Sequence, residues 1–481
     1  APTTSTFTIL MPAAETGTGA TNDGTLDSKP YYKIGPLLQA FGYGFGTGLY
    51  GASTWGTPRT TSNAILDPAS WSLDNYGELL IATIKNGATF SWDPDGGAGI
   101  TARATILSGA PTRSVMSMVS DRDRHLIILG TETTIGSAST QDKMFIRFSD
   151  QESLTDYTAT SVNTAGSFRI DSGTKIVGAA KAKDYILILT DTSAYLMQFV
   201  GPPFTFSIRQ VGSNCGCIGQ HSIVYANGAV YWISDSGGFF MFDGTVKALP
   251  SLVEDFVFQT NDNAPGFNFA NGSEITYAAH NSLFSEISWF YASSNSSYID
   301  RQVTFNYAEQ TWTTGSLART TFTAAHLFDQ PIATEFDVSF TPTTPTIQGV
   351  SNGASRVFNH EIGTNQVLAD GTTTAVPAFI TSGDFDLDAQ GDGEYFIKLR
   401  RFIPDFKYIN GNAKITITTR DYPAQTQGSS PLGPFTINSS TNKVDTRARA
   451  RLAAVKVEND GLNESWRFGQ FRFDIQPDGR R

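Results

Sequence analysis

Between residues 71 and 315 the sequence keeps returning to one short unit: a strand of small residues, a polar turn, an apolar strand, a second polar turn and an aromatic strand. The clearest copy is HSIVYANGAVYWISDSGGFFMFDG (221–244). In it Val230 and Trp232, then Phe239 and Met241, alternate with their neighbours around a Ser-Asp-Ser-Gly-Gly turn. Gly237 and Gly238 allow the positive φ that a tight hairpin needs. Further copies are WSLDNYGELLIATIKNGATFSWDP (71–94), with a turn at Asn86-Gly87, and SVMSMVSDRDRHLIILGTE (114–132), which continues into DKMFIRFSD (142–150). KIVGAAKAKDYILILTDTSAYLMQFV (175–200) is another, and EITYAAHNSLFSEISWFYASS (274–294) and RQVTFNYAEQTWTTG (301–315) are looser ones. Equivalent turns recur at about 40 to 50 residues, the blade period of a β-propeller. A hairpin cannot bury both faces alone, and radial stacking does so. The repeat therefore predicts a propeller of five or six blades, with a β-sandwich as the rival for the same strand spacing.

Composition agrees with an all-β fold. The chain has 481 residues, 45 of them Gly, with 12% aromatic and only 16% charged. That length exceeds one ordinary core, and no amphipathic run of fifteen residues is present. After about residue 320 the texture changes. SFTPTTPTIQGVSNGAS (339–355) reads as a loop or linker. AFITSGDFDLDAQGDGEYFIKLRRFIPDFKYING (378–411), AKITITTRDY (413–422), RARARLAAVKVEN (447–459) and WRFGQFRFDIQPDGRR (466–481) then read as long alternating strands, more sandwich-like than blade-like. The expected organisation is an N-terminal arm and Gly/aromatic loop (1–60), propeller blades (61–320), and a C-terminal β-rich region (321–481) that completes the propeller and/or forms a tip domain. The arm is Thr-, Gly- and Ala-rich with one strand-like run at Phe7 to Met11, and it opens on Ala1, read as a trimmed or processed start. FGYGFGTGLYGASTWG (41–56) reads as a loop that packs its rings, with a ligand-stacking platform as the lesser alternative.

A net charge of −11 argues against a protein that grips nucleic acid statically. It leaves room for a surface past which DNA slides. No apolar stretch reaches the length of a membrane-spanning helix. Cys215-Gly-Cys217 lacks the second ligand pair that a structural zinc site needs, with only His221 nearby, and reads as two small buried or turn residues. GDFDLDAQGDGEYF (383–396) places Asp384, Asp386 and Asp388 on one face of a predicted strand, with Asp392 and Glu394 close behind. Ala389 and Tyr395 stand where a calcium loop wants Gly and Glu, so a solvated acidic face is the expectation and no metal is assigned. The five histidines (His125, His221, His280, His326, His360) accompany no recognisable nucleophile, and no catalytic or phosphate-binding motif occurs. The reading is a non-enzyme without cofactor. Arg447, Arg449 and Arg451 fall on one face of a predicted strand opposite Ala448, Ala450 and Leu452. They suit either contact with phosphate or a partner's carboxylates, or protection of an exposed strand edge.

Several segments together carry a resemblance: DRDRHLIILGTE, IRFSDQESLTDYTATSVNTAGSFRIDSGTKIVGA, YLMQFVGPPFTFSIRQVG, CGCIGQHSIVYANGAVYWIS, GDFDLDAQGDG and FRFDIQPDGRR. In order and density they resemble the tail nozzle (tail tube, or DNA stabilisation) proteins of short-tailed bacteriophages, over residues 50 to 481 and most strongly from 114 to 250. The family is expected to carry further N-terminal strands before the WGTPR segment, where this sequence starts with a Thr-rich stretch. The resemblance implies a structural protein of the virion tail, forming a homohexameric ring below the head–tail adaptor. Its channel would retain the packaged double-stranded DNA and conduct it during ejection, without sequence-specific binding, and its outer surface would meet tail fibres or spikes. Arg447, Arg449 and Arg451 would then be cation rings facing the channel or a partner. The competing classes are a carbohydrate-binding or hydrolytic propeller and a trimeric fibre adhesin. The chain lacks the heptads or β-helix coils such trimers often use.

Overall fold

The computed structural model describes residues 38–40, 65–68, 70–96, 102–259, 265–269, 272–296, 298–324, 329–336, 355–367, 372–387, 395–422 and 431–480. Five successive four-stranded antiparallel meanders begin at Trp71, Met116, Ile176, Ile223 and Tyr277. A three-stranded sheet follows, starting at Thr321 and ending at Asn359. The first strand of each blade lies beside the first strand of the next, the arrangement of a propeller. The blade-like sheets thus run past residue 320. The segments 274–294 and 301–315, read as separate copies, are the two halves of one blade. The segment 71–94 holds three strands rather than two, because Gly77, at φ 64°, makes a first turn before the one at Asn86.

Burial explains why the blades stack. His125–Leu129 and Ala229–Ile233, each the second strand of its blade, are buried at every residue, as is Ile186–Thr190. A strand buried on both faces reads as continuous apolar sequence, which is what HLIIL, ILILT and AVYWI supply. The alternation expected around Val230 and Trp232 is accordingly absent, since Tyr231 and Ile233 are buried too. Trp232 is fully buried and stacks on Phe240 at 5.8 Å, and its indole Nε1 donates to the Cys215 carbonyl at 3.0 Å. That single bond ties the Cys-Gly-Cys loop to the centre of the next blade.

Polar groups near the start of the array are equally committed. Thr83 Oγ1 meets Thr89 Oγ1 at 2.8 Å and Ser117 Oγ at 2.6 Å, while the Ser117 amide donates to Ser72 Oγ at 3.0 Å. These bonds join the first two blades without leaving a buried hydroxyl unpaired. Lys85 Nζ pairs with Glu274 Oε2 at 2.5 Å, and Ser70 Oγ donates to Gln220 Oε1 at 3.3 Å. The first blade therefore touches the segments that enter the fourth and fifth.

The C-terminal region is a sandwich. Ala378–Thr381, Leu452–Asn459, Ala413–Arg420 and Leu432–Ile437 form one sheet, in that order. Val444–Ala450, Tyr395–Asn410 and Ser465–Arg480 form the other. Leu399, Phe402, Phe471 and Phe473 from one sheet pack on Ile415, Ile417, Val455 and Val457 from the other. No helix among the described residues is long and apolar enough to cross a membrane.

Two outcomes follow. Trp232→Ala leaves a large void and an unpaired buried carbonyl, and is expected to cost about 3–5 kcal/mol in urea unfolding; a cost below about 1 kcal/mol would show that the stacked strands are not the main source of stability. The second concerns His360, where burial, then the neighbouring Arg319 guanidinium, pushes the imidazole from an ordinary 6.5 down to about 4. Arg319 Nε donates to its Nε2 at 2.8 Å, so the ring is neutral in the fold. As pH falls from about 6.5 toward 4 the unfolded chain takes up a proton that the folded chain refuses, and stability declines through that window. His360→Gln keeps an acceptor but removes the titration, so the drop in urea midpoint between pH 7 and pH 4.5 should be smaller than in the parent; an equal drop would remove His360 as a contributor.

Candidate functional site

The surface with the most distinctive chemistry is the outer face of the three-stranded sheet in the sandwich. Along Tyr395–Asn410, Ile397, Leu399 and Phe402 point into the core. The pleat places Lys398 and Ile403 on the opposite face, and a register shift between Leu399 and Arg401 keeps both Arg400 and Arg401 out of the core. Along Ser465–Arg480, Phe471, Phe473 and Ile475 pack inward while Arg472 and Asp474 alternate outward. On Val444–Ala450, Ala448 and Ala450 are buried and Arg447 and Arg449 are exposed. Lys398 lies opposite Arg449 on one side and Gln476 on the other, and Tyr408 lies opposite Arg467.

The four carboxylates of this face are all engaged. Asp478 accepts from Arg449 Nε at 2.7 Å, Arg401 lies 3.3 Å from Asp474 and 3.7 Å from Asp445, and Arg472 lies 3.5 Å from Asp405. Lys398, Arg400, Lys407, Arg447 and Arg467 have no carboxylate partner among the described residues. The sheet thus presents surplus cations, in a chain whose net charge is −11. Residues 395–481 hold fifteen Lys and Arg against eight Asp and Glu, net +7, so residues 1–394 carry −18. Arg447 and Arg449 stand out by their alternation; Lys398, Arg400, Lys407 and Arg467 do not. The signal that could have found them is the charge asymmetry between the two parts of the sequence.

The arginine triplet is not one strand face. Arg447 and Arg449 share the edge strand Val444–Ala450, whereas Arg451 sits at the corner where the chain crosses to the other sheet at Leu452. Phe396 still gathers two of them, with the Arg449 guanidinium 4.1 Å and that of Arg451 5.1 Å from its ring centre. The acidic segment differs from expectation as well. Around Asp384 and Asp386 there is no strand, only a bridge at Phe385 to Ala453, and Asp384 is ion-paired with Arg420. Asp388, Asp392 and Glu394 lie outside the described residues, as do the 41–56 loop, the 1–30 arm, His326 and Arg481.

The other candidates are structural in their surroundings. Cys215 and Cys217 are both buried with free thiols. Burial pushes Cys215 up to about 11 and Cys217 to about 12. A Cβ at Gly216 would collide with the Asp191 carbonyl, which is why a glycine separates them. His125 Nδ1 lies 2.7 Å from the Ser149 carbonyl, and His280 Nε2 lies 3.2 Å from the Tyr307 hydroxyl. Burial lowers the pKa of His221. Among the described residues no three His, Cys, Asp or Glu side chains are grouped to hold a metal ion.

No protein-family model matches the chain, and no curated protein sequence is similar to it. Among solved structures it is similar to an exo-β-1,3-galactanase from Phanerochaete chrysosporium with β-1,3-galactotriose, at 10% identity and a TM-score of 0.27, over 86% of this chain and 96% of that one. It is also similar to a Synechocystis apocarotenoid oxygenase, at 13% identity and 0.28, over 56% and 66%. The N-terminal domain of Nup159 matches at 9% identity and 0.36, over 61% and 74%. None is a tail protein, and at these scores none carries an argument about function.

The thiols give a direct check. With pKa values this high and no solvent access, neither should react with Ellman's reagent at pH 8 in the native protein, and both should react once the chain is unfolded in guanidinium. Reaction of even one thiol within minutes under native conditions would contradict this placement.

Proposed function

We propose that this protein is a structural, non-enzymatic subunit of a phage tail nozzle. In this reading it forms a homohexameric ring below the head–tail adaptor, and the ring's channel retains the double-stranded genome and then conducts it. The observation that carries the proposal is the surplus of unpaired cations on the outer face of the C-terminal sandwich, within a chain that is otherwise acidic. Lys398, Arg447 and Arg467 are cations on the outer face of one sheet, which suits sequence-independent contact with phosphate.

Net charge alone would make the lumen acidic. Here the acidic propeller is assigned to protein partners, the adaptor and tail fibres or spikes, and the basic sheet to the nucleic acid. Six copies would repeat Arg447 and Arg449 as rings, while Asp478 and Phe396 hold Arg449 in place. Contacts of this kind are sequence-independent and screened by salt, so DNA is slowed without being anchored. The virion tail is the corresponding location.

Mass photometry and low-resolution electron microscopy of the purified chain, alone and mixed with the adaptor, test this reading. A sixfold ring with a central hole is expected. A discrete monomer or trimer, with no ring even beside the adaptor, would overturn it.

A further inference from the structure

A cavity of about 410 Å³ opens where the second and third blades part, at the end that carries their first hairpin turns. Its floor is apolar, formed by Met197, Phe199 and Phe206 at the limit of the core those blades share. Tyr185 of the third blade and Tyr225 of the fourth supply further aromatic surface. Two turns make the rim. One contributes Asp121, Arg122 and Asp123, and the other Lys183 and Asp184 beside Lys181.

The rim holds three carboxylates and three cations, so it offers no net field to select an anion or a cation. Part of it is already committed. Lys181 Nζ donates to Asp74 at 3.1 Å and to Asp121 at 2.9 Å, tying three blades together, and Ser120 Oγ donates to Asp123. The remainder is unused. Lys183 and the hydroxyls of Tyr185 and Tyr225 have no hydrogen-bond partner among the described residues, and Asp184 meets only Arg122, at 4.0 Å. Burial, then the neighbouring Tyr225 and Asp243, raises the pKa of Tyr185.

The open groups are one cationic donor, one carboxylate acceptor and two phenols able to do either, all beside aromatic rings. A ligand that satisfies them carries many neutral hydroxyls and an apolar C–H face. We propose that this cavity binds a neutral saccharide of one or two sugar units. Tyr225 stacks on the ring, and Asp184 and Lys183 hydrogen-bond its hydroxyls. The volume lies in the range of small-molecule sites. This site is independent of the assembly reading and stands or falls without it.

The test is saturation-transfer NMR on the full chain with glucose, galactose, N-acetylglucosamine and their β-linked disaccharides, repeated with Tyr225→Ala and Asp184→Ala. Tyr225 is 37% exposed and the Asp184 side chain 66%, so both variants should keep the parent's melting temperature. Saturation transfer to at least one sugar is expected, weakened about tenfold or more by each substitution. Absence of transfer from every sugar, transfer that survives both substitutions, or displacement of the sugar by the zwitterion glycine betaine would each overturn the proposal.

Discussion

The whole molecule depends on a strand that cannot touch water on either side. In at least three blades the second strand, HLIIL, ILILT or AVYWI, is buried at every position, and only a neighbouring sheet on each face can provide that. One blade alone would expose both faces of this strand, and in a pair each blade would still expose its outer face. Stacking is therefore obligatory, and the rims inherit the freedom that the strands lack. The first hairpin turns of the second and third blades carry charged residues such as Asp121, Arg122, Lys183 and Asp184, while the second strands are fixed by packing on both faces.

Charge is distributed as unevenly as hydrophobicity. The propeller and the segments before residue 395 carry −18, and the C-terminal strands carry +7. Within the sandwich the inner face is aromatic and aliphatic, and on the outer face of the three-stranded sheet every carboxylate is paired, while five cations have no carboxylate partner among the described residues. Replacing one of those five strands no buried counter-charge, so the fold does not require them. That is the physical reason to look for their use outside the monomer.

The sequence disclosed the repeat readily, because apolar strand, polar turn and aromatic strand recur in the same order whatever the residue identities. It disclosed the crossings poorly. In RARARLAAVKVEN the polar residues fall at 447, 449 and 451 and then at 456 and 458, so the phase slips after Arg451, where the chain changes sheets; a phase slip does not say which sheet the next strand joins. The run at Asp384 has strand-like alternation too, but Asp384 is held by Arg420, a residue 36 positions away that no local pattern reveals. Cys215 and Cys217 were legible as buried small residues. Their reason, a carbonyl that caps the Trp232 indole and a glycine pressed against Asp191, required coordinates. For the cationic face the positions were half legible: Arg447 and Arg449 share one strand, whereas Lys398 and Arg467 join them only through register.

The proposed role requires that this face meet phosphate. The most direct measurement is the affinity of this chain for a short random-sequence duplex as a function of salt, for the parent and for a variant with Lys398, Arg447 and Arg467 all changed to Ala. Weak, sequence-independent binding is expected at low salt, with the log–log slope reduced by roughly 3 in the variant, about one for each phosphate no longer neutralised. No binding at low salt, or an unchanged slope, would contradict it.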